Sequence, residues 1–180
     1  MARGPLAEVT SRRLLHKGRK FDFEMVDVRM PSGKTVQREI VRHPGAVLIV
    51  PVLDSGEVVL IRNFRISLER PLYECPAGTM EPPEPAEACA ARELVEETGY
   101  EAATLVSLGW FYTTPGLTDE KMHAFVGKGL RPVGQDLEED ECISVCPVPR
   151  EEAFAMIDRG EITDAKSMLA LLLARRRGLL

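Results

Sequence analysis

The sequence predicts a mixed α and β protein: strands fill the middle of the chain, one helix is inserted among them, and two more follow, so that a mixed sheet is covered on both faces. Four stretches carry this expectation. Residues 46–53 (AVLIVPVL) are apolar on both faces, as in a central strand. Residues 78–100 (GTMEPPEPAEACAARELVEETGY) pass through a glycine turn and three prolines into a helical repeat. Two further helical repeats lie near 150–159 and 164–177. With 180 residues, 44% apolar and 28% charged, the chain has the size and composition of one soluble globular domain with a proper core.

The elements follow in order. Residues 20–30 alternate, with Phe21, Phe23 and Met25 on one face and Asp22 and Glu24 on the other. Pro31-Ser32-Gly33-Lys34 turns the chain and Thr35 to Val41 returns it. Such a hairpin is too small to hold a core alone, so it leans on the rest of the chain or on a second copy. Residues 1–45 are therefore expected to form a strand appendage and residues 46–180 the main domain. In the strand 46–53, Pro51 marks a bulge or an outward N–H position. Asp54-Ser55-Gly56 then joins it to Val58 to Phe64, which predicts a tight hairpin.

A loop containing Pro71 leads through Leu72-Tyr73-Glu74 to the Pro76-Ala77-Gly78 turn and the first helix. Pro85 suits the helix's first turn and Gly99 its left-handed stop. Ala102 to Tyr112 reads as a strand, 113–120 as a loop, Met122 to Val126 as the returning strand. An acidic loop, 136–141, precedes a strand near Ile143 to Val148. Behind Pro149 comes a helix to Arg159, then one from Asp164 to Arg177. The last is expected to bury Met168, Leu169, Leu171, Leu172 and Leu173, and its Arg175-Arg176-Arg177 suits a helix C-terminus.

Charge and composition narrow the function. A formal charge of −5 leaves no basic surplus for a nucleic-acid backbone, although a small anion is acceptable if metal ions accompany it. No run approaches the roughly 20 apolar residues of a membrane span, and residues 1–20 lack the apolar centre of a secretory signal. Cys75, Cys89, Cys142 and Cys146 make no familiar framework and fit reduced thiols in a cytoplasm; Cys142 and Cys146, sharing one face if they lie in a strand, are expected as small buried hydrophobes. His16, His43 and His123 are scattered and flank no nucleophile signature, and Trp110 is expected in core or interface packing.

The first helix carries the chemistry. At roughly 100° per residue, Ala86, Ala90, Glu93 and Glu97 fall within about 60° of one another, with Cys89 and Glu96 beside them. The small apolar residues mark an inward face, which the acids continue. Carboxylates go inside only when paired, and only Arg92 is near in sequence. A hard divalent cation, Mg²⁺ or Mn²⁺, meets the remaining need.

The same stretch reads Gly78, five residues, Glu84, seven residues, Arg92-Glu93-Leu94-x-Glu96-Glu97-x-Gly99 and a bulky residue. At every defining position it resembles the Nudix box of the Nudix hydrolases, although Pro83 stands where relatives commonly carry glycine. Beyond the box, Arg62-Asn63-Phe64-Arg65, the Pro115 loop fifteen residues after Tyr100, and Gly160-Glu161-Ile162-Thr163-Asp164-Ala165 resemble the ADP-ribose pyrophosphatase branch.

That resemblance implies an α/β/α sandwich with a mixed sheet, plus an N-terminal antiparallel hairpin region. It implies Glu93 and Glu97 as metal ligands, Glu96 as a further ligand or supporting acid, the Ala77 carbonyl as another, and Arg92 as the residue orienting the carboxylates. It places a catalytic base in the acidic loop: Glu139, with Glu141 as metal partner or alternate base. Arg65 would clamp phosphate, and Pro115 and Glu120 would help position the substrate. The expected activity is Mg²⁺-dependent hydrolysis of a nucleoside diphosphate sugar, ADP-ribose to AMP and ribose 5-phosphate, by a cytoplasmic homodimer with no nucleic-acid or membrane partner. The alternatives are GDP-mannose, another ADP-sugar or FAD as substrate and, in another class, a non-catalytic nucleotide sensor, which would be expected to have lost some box acids.

Overall fold

The structure, a computed structural model, describes residues 6–137, 139 and 141–180; Glu138 and Asp140 of the acidic loop lie outside the described residues. The chain divides into two compact units, residues 1–45 with 112–121, and residues 46–111 with 122–180.

The first unit is an antiparallel sheet in the order β1-β2-β3, with β1 at Glu8–Lys17, β2 at Asp22–Arg29 and β3 at Thr35–Arg42. The β2–β3 hairpin turns where the sequence predicts, with Gly33 at φ 83°. The first strand was not legible beforehand. Its ten residues are all exposed, so its sequence EVTSRRLLHK shows no buried alternation to read. Pairing with β2, from Glu8↔Arg29 to Lys17↔Asp22, defines it instead, through two register shifts. The 112–121 loop is fastened to β3 by the Val41 N–H donating to the Leu117 carbonyl (2.9 Å) and by an Arg42–Asp119 ion pair (2.6 Å).

In the second unit, β4 (Ala46–Pro51) is the partition. It runs parallel to β9 (Lys121–Pro132), from Ala46↔Met122 to Pro51↔Gly127, and antiparallel to β7 (Ala77–Thr79). The four-stranded mixed sheet has the order β7-β4-β9-β8, with β8 at Tyr100–Tyr112. A separate antiparallel sheet has the order β10-β5-β6, from Ile143–Pro149, Glu57–Arg65 and Arg70–Glu74. This corrects the expected tight hairpin of 46–53 with 58–64. After one bridge, Val52↔Val58, the two strands part into different sheets. Both edges of β4 are already taken by β7 and β9, so β5 has no free edge to pair with.

Every residue of β4 is buried, and its two faces meet different partners, as period-2 geometry requires. Val47 and Ile49 pack with Cys89, Ala90 and Leu94 of α1 (Ala86–Thr98). Leu48 and Val50 pack with Phe154 of α2 (Arg150–Asp158) and Leu171 of α3 (Ala165–Arg176). One helix therefore covers one face and two the other, giving the expected α/β/α arrangement.

The Asp164 carboxylate caps α3 by accepting from the Ser167 N–H at 3.0 Å. Its buried stripe is Ser167, Ala170, Leu171 and Ala174. The expectation that Leu169 and Leu172 are buried is corrected: they are 38% and 51% exposed, because the small residues at helical spacing set the inward face. At the end of α3 the Arg175 guanidinium lies 4.3 Å from the Phe154 ring centroid. Trp110 is half exposed rather than in the core. Cys75 and Cys89 are buried, but the expectation for the other pair is corrected: Cys142 is exposed, since it sits just ahead of β10 rather than within it, and Cys146 is only half-buried. Among the described residues, no helix is long and apolar enough to cross a membrane.

The inward face of α3 is tested by a pair of truncations. Leu171→Ala should destabilise the fold by about 2–5 kcal/mol in urea unfolding, whereas Leu172→Ala should stay within about 0.5 kcal/mol of wild type.

Candidate active site

The inward acids of α1 meet the backbone of β7. Glu93 is 8% exposed and Glu97 only 2%. A Cβ on Gly78 would lie 1.8–2.2 Å from the Glu93 carboxyl atoms, so any side chain here would displace that carboxylate from its place against β7. Glu97 accepts from the Ala77 N–H through Oε2 at 2.8 Å.

Arg92 gathers the other acids. Its Nη1 donates to Glu93 Oε1 (2.9 Å) and Glu96 Oε2 (2.7 Å), while Nε and Nη2 reach the two oxygens of Glu84 at 3.1 and 3.2 Å. The bond to Glu84 is the main cause of the raised Arg92 pKa, and the same bond lowers that of Glu84. The guanidinium thus touches three box carboxylates at once, Glu84, Glu93 and Glu96, and not Glu97.

One arginine does not neutralise this group. Burial pushes Glu93 up to about 7, against the opposing pull of Arg92 and with Glu96 and Glu141 adding to the rise. Burial also pushes Glu97 up to about 8; the Ala77 N–H opposes this, and the charges of Glu93 and Glu141 reinforce it. Desolvation of both side chains is the dominant cause in each case. Among the described residues, no three acidic, histidine or cysteine side chains converge into a ready metal cage. Arg92 and the Ala77 amide hold the acids instead. The donor set is all oxygen and in excess of its cations, which suits a hard divalent ion.

The two loop glutamates differ. Glu141 is half-buried and its charge acts on both Glu93 and Glu97. Glu139 is exposed. Arg65, at the end of β5, donates from Nε to Glu74 Oε1 (2.7 Å) and from Nη2 to Glu74 Oε2 (2.5 Å). The bond to Glu74 chiefly raises its pKa, and Glu97 contributes too. Glu74, fully buried, escaped the sequence reading, although an acid between Tyr73 and Cys75 in an apolar run was the available signal.

Pro115 and Glu120 belong to the first unit. Pro115 is exposed in a turn closed by the Leu117 and Thr118 N–H groups donating to the Thr114 carbonyl. Glu120 accepts from the Thr113 hydroxyl and lies 3.4 Å from His43 Nε2. The Gly45 N–H donates to His43 Nδ1 at 3.0 Å, so that nitrogen carries no proton. Burial lowers the His43 pKa to match, and Phe21 stacks on its ring at 4.7 Å.

Comparison with known proteins sets this geometry in context. The NUDIX domain model matches residues 42–171. The chain is 41% identical over 159 residues to an ADP-ribose pyrophosphatase of Bacillus subtilis, covering 87% of this chain and 86% of that protein. It is 33% identical over 170 residues to a GDP-mannose pyrophosphatase of Yersinia enterocolitica, covering 89% and 88%. A solved structure described as an ADP compounds hydrolase superimposes with a TM-score of 0.83 at 26% identity, covering 98% of this chain and 96% of that one.

The raised acids predict a pH signature of the metal-free protein. The folded state keeps protons on Glu93 and Glu97 that the unfolded chain releases near 4.5. Between about pH 4.5 and 8 the native state therefore binds more protons than the unfolded state, and stability must fall as pH rises. Thermal melts in chelator should show Tm declining across that window, and Glu97→Gln should flatten the decline.

Proposed function

This chain belongs to the NUDIX domain family, and on that premise we propose that it hydrolyses the pyrophosphate bond of a nucleoside diphosphate sugar, ADP-ribose to AMP and ribose 5-phosphate. The observation that carries the reading is the buried pair Glu93 and Glu97, held against β7 with too little positive charge around it. The Bacillus subtilis relative, an ADP-ribose pyrophosphatase, supports ADP-ribose as substrate. GDP-mannose is the second reading, supported by the Yersinia enterocolitica relative.

Glu93, Glu97, Glu96 and the Ala77 carbonyl would hold Mg²⁺, with Mn²⁺ as a substitute. When bound, the ion supplies positive charge for the diphosphate oxygens and for a nucleophilic water. The chain's own residues do the rest. Arg92 keeps the carboxylates turned inward. Arg65 is fixed along one edge by Glu74 and offers its other edge to a phosphoryl group, the bidentate geometry a guanidinium favours. Of the two loop acids, Glu141 is electrostatically joined to the buried pair while Glu139 faces solvent. We therefore assign the attacking water's proton to Glu141, which replaces Glu139 as the first choice for the base. Pro115 and Glu120 are proposed as substrate-positioning residues on the family resemblance alone.

The first unit's sheet leaves Val9, Leu14, Leu15 and Phe23 substantially exposed, which supports a homodimer formed through these strands. Light scattering should then give about twice the 20.0 kDa chain mass; a monomer at micromolar concentration refutes this part.

The activity is tested by incubating the protein and Mg²⁺ with ADP-ribose, GDP-mannose, other ADP-sugars and FAD, then identifying products by mass. AMP and ribose 5-phosphate from ADP-ribose are the expected products. Much faster turnover of GDP-mannose moves the assignment to that sugar, and no turnover of any compound leaves the non-catalytic sensor reading. Glu141→Gln should lower kcat by about 10²–10⁴, with Glu139→Gln within about threefold of wild type; the reverse order restores Glu139 as the base.

A further inference from the structure

A second ionic cluster lies in the same unit, next to Arg65 rather than on α1. Glu74 ends β6 with its side chain only 1% exposed. Besides the two bonds from Arg65, its Oε2 accepts from Lys166 Nζ at 2.7 Å. The same ammonium is 2.8 Å from Asp164 Oδ1. Asp164 Oδ2 accepts from the Ser167 N–H and hydroxyl, and Ser167 Oγ accepts from the N–H of Cys75, the residue after Glu74. The first turn of α3 is thus tied to the end of β6, and through Glu74 to Arg65.

Charge and exposure give the cluster a direction. Arg65 and Lys166 balance Glu74 and Asp164, so the four sum to zero; without Lys166 the sum is −1. The side chains of Glu74, Asp164 and Lys166 are 1%, 14% and 17% exposed, whereas that of Arg65 is 36% exposed. Glu74 occupies the Nε/Nη2 edge of the guanidinium. Nη1 makes no hydrogen bond among the described residues, so the Nη1/Nη2 edge remains available to two oxygens of one phosphoryl group.

We propose that Lys166 is a positioning residue for the hydrolysis: shared between Glu74 and Asp164, it cancels the buried acid charge so that Arg65, locked along one edge, presents effective positive charge to the substrate's diphosphate. The inference rests on the nucleotide-sugar reading above and gives its phosphate clamp a dependence on α3. Two carboxylates, Glu74 buried and Asp164 largely shielded, facing one arginine would hold that guanidinium to themselves and repel an incoming anion. Lys166 touches neither substrate nor reacting atoms in this account; it acts through Glu74.

Steady-state kinetics with ADP-ribose and saturating Mg²⁺ on wild type, Lys166→Met, Lys166→Arg and the Lys166→Met/Asp164→Asn double variant test this. Lys166→Met should raise KM on the order of tenfold, with kcat falling less than about threefold. The rise should be larger at low ionic strength than in about 0.5 M salt, where screening weakens the uncancelled charge. Lys166→Arg should restore most of the loss, and the double variant, again neutral, should recover part of it. A Lys166→Met protein with a lower Tm but KM within about twofold of wild type overturns the proposal and leaves Lys166 a purely stabilising residue. Should that variant not fold, Lys166→Gln, which keeps a donor without the charge, is read by the same criterion. Wild type inactive on every nucleotide sugar sinks the functional reading itself, an outcome distinct from active enzyme with an indifferent Lys166.

Discussion

The cost of removing carboxylates from water organises this molecule. Glu93 and Glu97 are nearly inaccessible, and each is driven toward its protonated form by burial before any neighbour is considered. The surrounding residues make that burial tolerable. Gly78 leaves the space the Glu93 carboxyl fills, the Ala77 amide donates to Glu97, and Arg92 bridges Glu84, Glu93 and Glu96. None of these partners supplies a full counter-charge for each acid. A cluster so arranged is short of positive charge, which is the need that the proposed divalent ion would meet.

The same demand explains why β4 is apolar from end to end. A strand with helices on both faces must be buried on both faces, and β4 is, from Ala46 to Pro51. Its Val47 and Ile49 hold the aliphatic part of α1 in place, which fixes the register of the acids one and two turns further along the helix. Its Leu48 and Val50 hold α2 and α3, and α3 brings Lys166 to Glu74. Both ionic clusters are therefore positioned by alternating residues of one strand. That is why a chain with few special residues needs so regular a core.

What the sequence could disclose follows from the range of the interactions. The acids of α1 were legible because helical periodicity is local: Ala90, Glu93 and Glu97 share a face by spacing alone. The hairpin of β2 and β3 was legible for the same reason. β1 was not, since a strand exposed along its whole length carries no alternation. The divergence of β4 from β5 was hidden because it depends on which strands occupy the edges of β4, and β9 lies more than seventy residues away in sequence. The run of leucines in α3 misled, because Ser167, Ala170 and Ala174 set its buried stripe. Glu74 and Lys166 are separated by 92 positions, and nothing in either neighbourhood announces the other.

The two clusters differ in one respect that bears on how the protein works. Around Arg65 and Lys166, positive and negative charges balance, so that site is stable without a visitor and can present one guanidinium edge outward. Around Arg92 the acids exceed the cations, so that site is incomplete by itself. A diphosphate is anionic, and an excess of carboxylates repels it until a cation intervenes; the balanced cluster imposes no such barrier. The proposed reading therefore gives recognition of the phosphate to fixed charge on the protein, and activation to charge brought in with the metal. On the proposed reading, an enzyme divided in this way would bind its anionic substrate productively only with the ion present, which would make the metal a condition of substrate binding as well as of bond cleavage.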